Sequence, residues 1–273
     1  MDLRGGRVAG KPLTRITGRL KAAPTIVAII LASSPLLYAQ RGGGGRGGPP
    51  PAAREAAALD LTGYWVSVVV EDWKWRMVTP KKGVYDSLPL NAEGRKIADA
   101  WDPSKDEAAG EQCRAYGAAN VMRLPGRLHI TWEDGNTLRI DTDAGTQTRL
   151  FHFAGPEPAG GDWQGASMAS WDYPRPPIEG FFGGFGPPPP GGSLHVVTTK
   201  MRPGYLRKNG VPYSAQTVMT EYFDRFDVPG GDTILLVATE VNDPQYLNQP
   251  FWTSTHFKKQ NDATGWNPTP CTR

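Results

Sequence analysis

Cysteine is nearly absent. The 273-residue chain has two, Cys113 and Cys271, and neither stands in a CxxC or CxxCH arrangement. That excludes the common dithiol redox motif and c-type haem attachment. A GxSxG elbow, a GxxxxGK[ST] loop, a GxGxxG after a strand and an HExxH pair are all missing. With them go the local signatures of α/β-hydrolases, P-loop enzymes, dinucleotide-binding proteins and zincins. Histidine is scarce too: His129, His152, His195 and His256 fall in four separate extended segments. No pair sits at i, i+2, so nothing in the spacing demands a metal, and no metal or cofactor is predicted. The acidic residues Asp99, Asp102, Asp106 and Glu107 lack the spacing of an EF-hand calcium loop. No apolar run is long enough for a comfortable membrane span.

The net charge of +3 comes from the first residues. Arg4, Arg7, Lys11, Arg15, Arg19 and Lys21 precede an apolar stretch from Ala22 to Ala32, and a small residue, Ala39, follows. This is the three-part pattern of a cleavable secretion signal over residues 1–39. It places the mature protein in the periplasm or outside the cell, with no integral span after cleavage. From residue 59 onward the chain holds 21 Lys and Arg against 25 Asp and Glu, a net of −4. A basic surface for nucleic acid is therefore not expected. Residues 40–58, with Gly42–Gly45, Gly47–Gly48 and Pro49–Pro51, read as a flexible linker.

Residues 59–273 read as a single domain of strand after strand. Aromatic and β-branched residues fill 61–70, and Trp73 to Val78 alternates apolar with basic. One short helix is predicted over 92–101, capped by Asn91 and ended by Asp102-Pro103. From Gly126 the pattern is a meander. Asp134-Gly135 turns between His129–Trp132 and Leu138–Thr142, and Asp143-Ala144-Gly145 turns into 146–153. Five more strands are predicted near 166–171, 194–200, 217–226, 233–241 and 251–258. Residues 173–192, with Phe181, Phe182, Phe185 and Pro187–Pro190, interrupt this as an inserted loop. The fold class is all-β: an antiparallel meander closing, or nearly closing, into a barrel, with a two-sheet sandwich as the alternative.

Gly63-Tyr64-Trp65 at the head of the first strand resembles the Gly-x-Trp signature of lipocalins. A second resemblance spans Ala166 to Phe257. Ser167 to Trp171, Leu194 to Thr199, Gly210-Val211-Pro212-Tyr213-Ser214, Glu221-Tyr222-Phe223, Asp243-Pro244, Tyr246 and Pro250-Phe251 occur in order. This series is similar to a large group of secreted β-rich bacterial proteins without an assigned activity. The first resemblance implies a ligand-holding barrel, and the second implies export and a β fold but no chemistry. The Pro/Gly insertion departs from the tight turn usual in the second group.

Glu221 stands out as a carboxylate in an apolar strand. It is paired with an arginine such as Arg225, Arg207 or Arg202, or used in acid/base chemistry or ligand anchoring, or exposed at the rim. Alternation places Glu221 and Arg225 on one face and Tyr222 on the other. Trp65, Trp132, Tyr222, Glu221 and Arg225 are the candidate ligand-binding residues, and Glu221 with His195 the candidate catalytic ones. The leading expectation is a non-enzymatic exported barrel holding a small apolar or amphipathic ligand. The alternatives are a barrel enzyme built on Glu221 and a histidine, or an envelope interaction protein using the Phe181–Pro190 loop. Export also makes oxidation available, and no third cysteine competes. Cys113 and Cys271 are accordingly expected to form a disulfide that pins the C-terminal tail to the domain.

Overall fold

A computed structural model describes residues 50–174 and 191–272. The expected secretion signal, most of the linker and most of the 173–192 insertion, including its phenylalanines, lie outside the described residues. The Phe181–Pro190 contact surface does too.

Nine strands close into a barrel. They are β1 (Gly63–Val68), β2 (Arg127–Trp132), β3 (Thr137–Thr142), β4 (Gln147–His152), β5 (Ala166–Asp172), β6 (Ser193–Thr199), β9 (Val218–Asp227), β10 (Thr233–Asn242) and β11 (Phe251–Gln260). Two further strands, β7 (Gly204–Arg207) and β8 (Val211–Tyr213), form a separate hairpin between β6 and β9. Closure comes from β1, which pairs β2 on one side and β11 on the other; Trp65 stands opposite both Leu128 and Lys259. Every barrel strand therefore has two neighbours, so closure removes the open edges that a flat nine-stranded sheet would present to another chain.

Alternation does the rest. Trp65, Leu128, Ile130, Leu138, Ile140, Phe151, Ala169, Leu194, Val196, Phe223, Leu235, Val237 and Phe257, drawn from all nine strands, point inward and form one packed cluster. The meander expected from Gly126 is present, with one difference. Strands β4 and β5 run parallel, matched only at Phe151↔Ser167 and His152↔Met168. A parallel neighbour needs a crossing connection, and residues 153–165 supply it by running from one end of the barrel to the other.

The antiparallel registers bring several connections to the same barrel end. Residues 69–126 leave β1 and return at β2 there, the β7–β8 hairpin leaves β6 there, and 243–250 joins β10 to β11 there. The 69–126 segment holds α1 (Trp73–Arg76), α2 (Ala92–Ala100), α3 (Pro103–Ala108), a 3-10 turn (Gln112–Tyr116) and α4 (Ala118–Val121). Helix α2 begins as expected, the Asn91 side chain accepting from the Gly94 N–H at 2.8 Å. The segment 73–78, read as a strand from its alternation, is instead the one-turn helix α1. Arg76 turns inward there and donates to the Arg123 carbonyl at 2.8 Å, an arrangement a strand would not give. A second apolar cluster seals this end. Leu90, Ala98, Leu206, Val211 and Tyr213 of the insertions pack against Met219, Val241 and Phe251 at the strand ends.

One boundary shifts. The folded part starts before residue 59. Trp171 donates to the Ala53 carbonyl, Ala53 N–H donates to Asn136 and Arg54 N–H to Gly135, so the last linker residues are tied to the β2–β3 turn. At the other terminus, Cys113 and Cys271 form a disulfide with Cα atoms 5.1 Å apart. The tail has further ties. Thr269 N–H donates to the Asp143 carbonyl at 2.8 Å, and the Tyr116 hydroxyl accepts from Thr272 N–H at 3.0 Å.

Candidate functional site

Glu221 is fully buried inside the barrel, and its partner is Arg149 on β4. The guanidinium donates both terminal nitrogens to the carboxylate, at 2.9 and 2.6 Å, and stacks 4.8 Å from the centre of the Phe151 ring. Thr198 lies 3.4 Å from the same guanidinium and shares a 2.8 Å hydrogen bond with Ser167. None of the three arginines expected beside Glu221 reaches it. Arg225 is exposed near the Asp60 carbonyl, Arg207 sits at the hairpin, and Arg202 pairs with Glu111. Arg149 was missed although a sequence signal exists. By period-two alternation it shares its face with Phe151, a core residue.

The other expected residues are not brought together. Trp65 is fully buried in the core, its indole N–H donating to the Leu61 carbonyl at 2.9 Å. Trp132 packs on Phe153, which packs on Trp171, and all three are half-buried against the interior apolar cluster that contains Trp65. Tyr222 lies on the outer face, stacked 4.9 Å from His195. His195 is opposite Tyr222 in the β6–β9 register, while Glu221 is opposite the inward Val196. The barrel wall thus separates Glu221 from His195, and no acid/base pair is assembled between them. Among the described residues no group of three or more His, Cys, Asp or Glu is placed to hold a metal ion.

A different region concentrates clefts and polar aromatic groups: the junction of α2, α3, the 3-10 turn and the β7–β8 hairpin. Asp106 is its hub. One carboxylate oxygen accepts from the Trp101 indole at 3.0 Å and the Tyr205 hydroxyl at 2.7 Å, and the other accepts from Arg114 at 2.9 Å. Trp101 meets Tyr205 edge to face at 6.2 Å, and Arg114 lies 4.9 Å over the Tyr205 ring. Burial, with the hydrogen bond to Asp106, holds the Tyr205 phenol well above its ordinary pKa. The Trp101 ring can lie on the hairpin only because residue 210 is glycine. Its φ is +83°, and a Cβ there would come within 2.1 Å of the indole.

An open cleft of about 320 Å³ runs along this junction, lined among others by Ile97, Trp101, Asp106, Pro212, Tyr213 and Tyr246. Tyr213 is fully buried, and burial pushes its phenol far up, so it stays neutral. Its hydroxyl lies close against Gly117 and Gly204, where an added Cβ would approach to 2.2 and 2.6 Å. That hydroxyl has no hydrogen-bond partner among the described residues.

No family model matches the chain, and no curated protein matches it either.

Of the residues that carry the second sequence resemblance, Gly210, Pro212, Tyr213, Ser214, Asp243 and Tyr246 meet at this junction, whereas Ser167, Leu194 and Glu221 lie in barrel strands. Gly210 underlies Trp101, and Pro212 and Tyr213 line the cleft. Ser214 donates through its N–H and hydroxyl to Asp243 at 2.6 and 3.0 Å, and Thr217 adds a third bond at 2.9 Å. Asp243 therefore ties the hairpin to the β10–β11 loop that presents Tyr246. Sequence reasoning named these motifs without seeing that they form one wall.

Proposed function

We propose that this is an exported β-barrel protein that binds a small amphipathic ligand in the cleft beside Trp101, Asp106, Tyr205 and Tyr213. The unpartnered Tyr213 hydroxyl at an aromatic wall carries this reading. A buried polar group without a partner costs stability unless something satisfies it. Sites for small molecules pair apolar or aromatic walls with a few fixed polar groups, typically in volumes of roughly 300–1,000 Å³. The barrel interior is a poorer candidate, because its apolar side chains pack on one another and its carboxylate is paired. The disulfide is compatible with an oxidising compartment. No helix among the described residues is long and apolar enough to cross a membrane.

Native mass spectrometry of the protein purified from its own source tests the proposal. A small-molecule adduct is expected on the natural protein. It should be lost in Trp101→Leu and weakened in Tyr213→Phe, with the far-ultraviolet spectrum unchanged. No adduct, together with no change in tryptophan fluorescence across a panel of aromatic and aliphatic amphiphiles, overturns it.

A further inference from the structure

Three arginines converge at the sealed end of the barrel, around a recess that shares none of the residues lining the cleft just described. Arg76 comes from α1, Arg123 follows α4, and Arg207 ends β7; their residues are only 9, 7 and 6 % exposed. Together they line a recess of about 30 Å³, next to Trp75, Asn120 and Lys208.

Each guanidinium is only partly satisfied. Arg76 donates to the Arg123 carbonyl at 2.8 Å and to Glu71 at 2.7 Å. Arg123 donates to Asp72 at 2.8 Å. Arg207 donates to the Asp86 carbonyl at 3.1 Å and the Ser87 hydroxyl at 2.9 Å. That leaves one terminal nitrogen on each, Arg76 Nη2, Arg123 Nη1 and Arg207 Nη1, buried and without a hydrogen-bond partner among the described residues.

Charge points the same way. Three guanidinium groups are paired with two carboxylates, Glu71 and Asp72, and Arg207 forms no ion pair among the described residues. Burial, with the nearby Arg123 charge, pulls Arg207 down to about 10. A cluster of buried like charges is retained only where something compensates it. Guanidinium donors in a fork match the oxygens of phosphate and carboxylate groups and suit them better than a spherical ion. At about 10–15 Å³ for each water, the recess has room for two or three oxygen-sized groups, enough to seat the oxygens of a small anion.

We propose that Arg76, Arg123 and Arg207 form an oxyanion-binding site that takes the phosphoryl or carboxylate head group of a small molecule. The three free nitrogens supply the donors, and Arg207 supplies a charge that no carboxylate bonds directly among the described residues. The site is independent of the cleft proposed for an amphipathic ligand.

Calorimetric titration of the oxidised protein with inorganic phosphate, sulfate and acetate, at ionic strength held constant with chloride, reads the site directly. Saturable one-to-one binding of at least one of the three is expected. Preference for phosphate and sulfate assigns a tetrahedral head group, and preference for acetate assigns a carboxylate. Arg207→Met removes the cation that holds no carboxylate, and should weaken the preferred anion at least tenfold. Arg207→Lys, which keeps the charge and loses the fork, should fall between the two. If all three anions behave as chloride does on the natural protein, or if Arg207→Met binds as tightly as the parent, the assignment is wrong. The natural-protein titration decides the matter even if a variant does not fold.

Discussion

Arg149 and Glu221 face each other across the barrel, each essentially without solvent exposure. Such a pair owes little net stability to its own attraction, because both charges lose their hydration. Breaking it is another matter. Glu221→Gln leaves a guanidinium charge stranded among Phe151, Thr198 and the core, which should cost about 3–5 kcal/mol. Replacing both partners, as Arg149→Met with Glu221→Leu, should recover most of that loss. Urea unfolding of the single and double variants measures both numbers. A Glu221→Gln cost under about 1 kcal/mol would mean that the bridge is not closed in solution. Sequence singled out Glu221 because a carboxylate in an apolar strand is conspicuous. It did not find the partner, because pairing across a barrel depends on closure and not on neighbours in the chain. Arginines close in sequence, such as Arg225, were the natural but mistaken candidates.

At the scale of elements, legibility tracks locality. The turns at Asp134-Gly135 and Asp143-Ala144-Gly145 and the strands they join are local patterns, and they appear as read. The α1 turn was misread because Trp73-Lys74-Trp75-Arg76 alternates like a strand over too few residues to show a helical period. The β7–β8 hairpin was missed because its strands are too short for any period. The cleft was illegible for a related reason, since its walls come from 97–114, 203–213 and 246 and share no local signature. The tail illustrates the opposite case: two cysteines and the expectation of export sufficed. The disulfide links residues 158 positions apart, and closing so long a loop contributes about 2–4 kcal/mol in the chain-entropy account. Cys271→Ser should lower the midpoint of thermal unfolding while leaving the barrel's spectrum intact. Limited proteolysis should then clip the chain beyond Gln260 sooner than in the parent. If the tail resists cleavage equally in both, the Thr269 and Thr272 hydrogen bonds hold it without the bridge.

For the whole molecule, the division of labour between the two barrel ends matters most. The helical segment, the hairpin, the β10–β11 loop and the disulfide-tied tail all gather at one end. Both proposed sites lie there, in clefts between insertions and not inside the strands. The barrel supplies a rigid rim, and the chain between strands supplies the chemistry.

That ring is not uniformly bonded. Between β4 and β5 only two residue pairs are in register, against seven between β5 and β6. Arg149 belongs to β4, and Ser167, which bonds Thr198 beside it, belongs to β5. Transient parting of this seam therefore opens a path for solvent straight to the buried charges, without unfolding the rest. Amide hydrogen exchange should show β4 and the start of β5 exchanging well ahead of β9 and β10, through local openings. Uniform protection around the ring would instead mean that the crossing segment 153–165 clasps the seam shut. On the first outcome the wettable ion pair and the loose stave form a single device: the barrel breathes where a pair of interior charges is waiting for water.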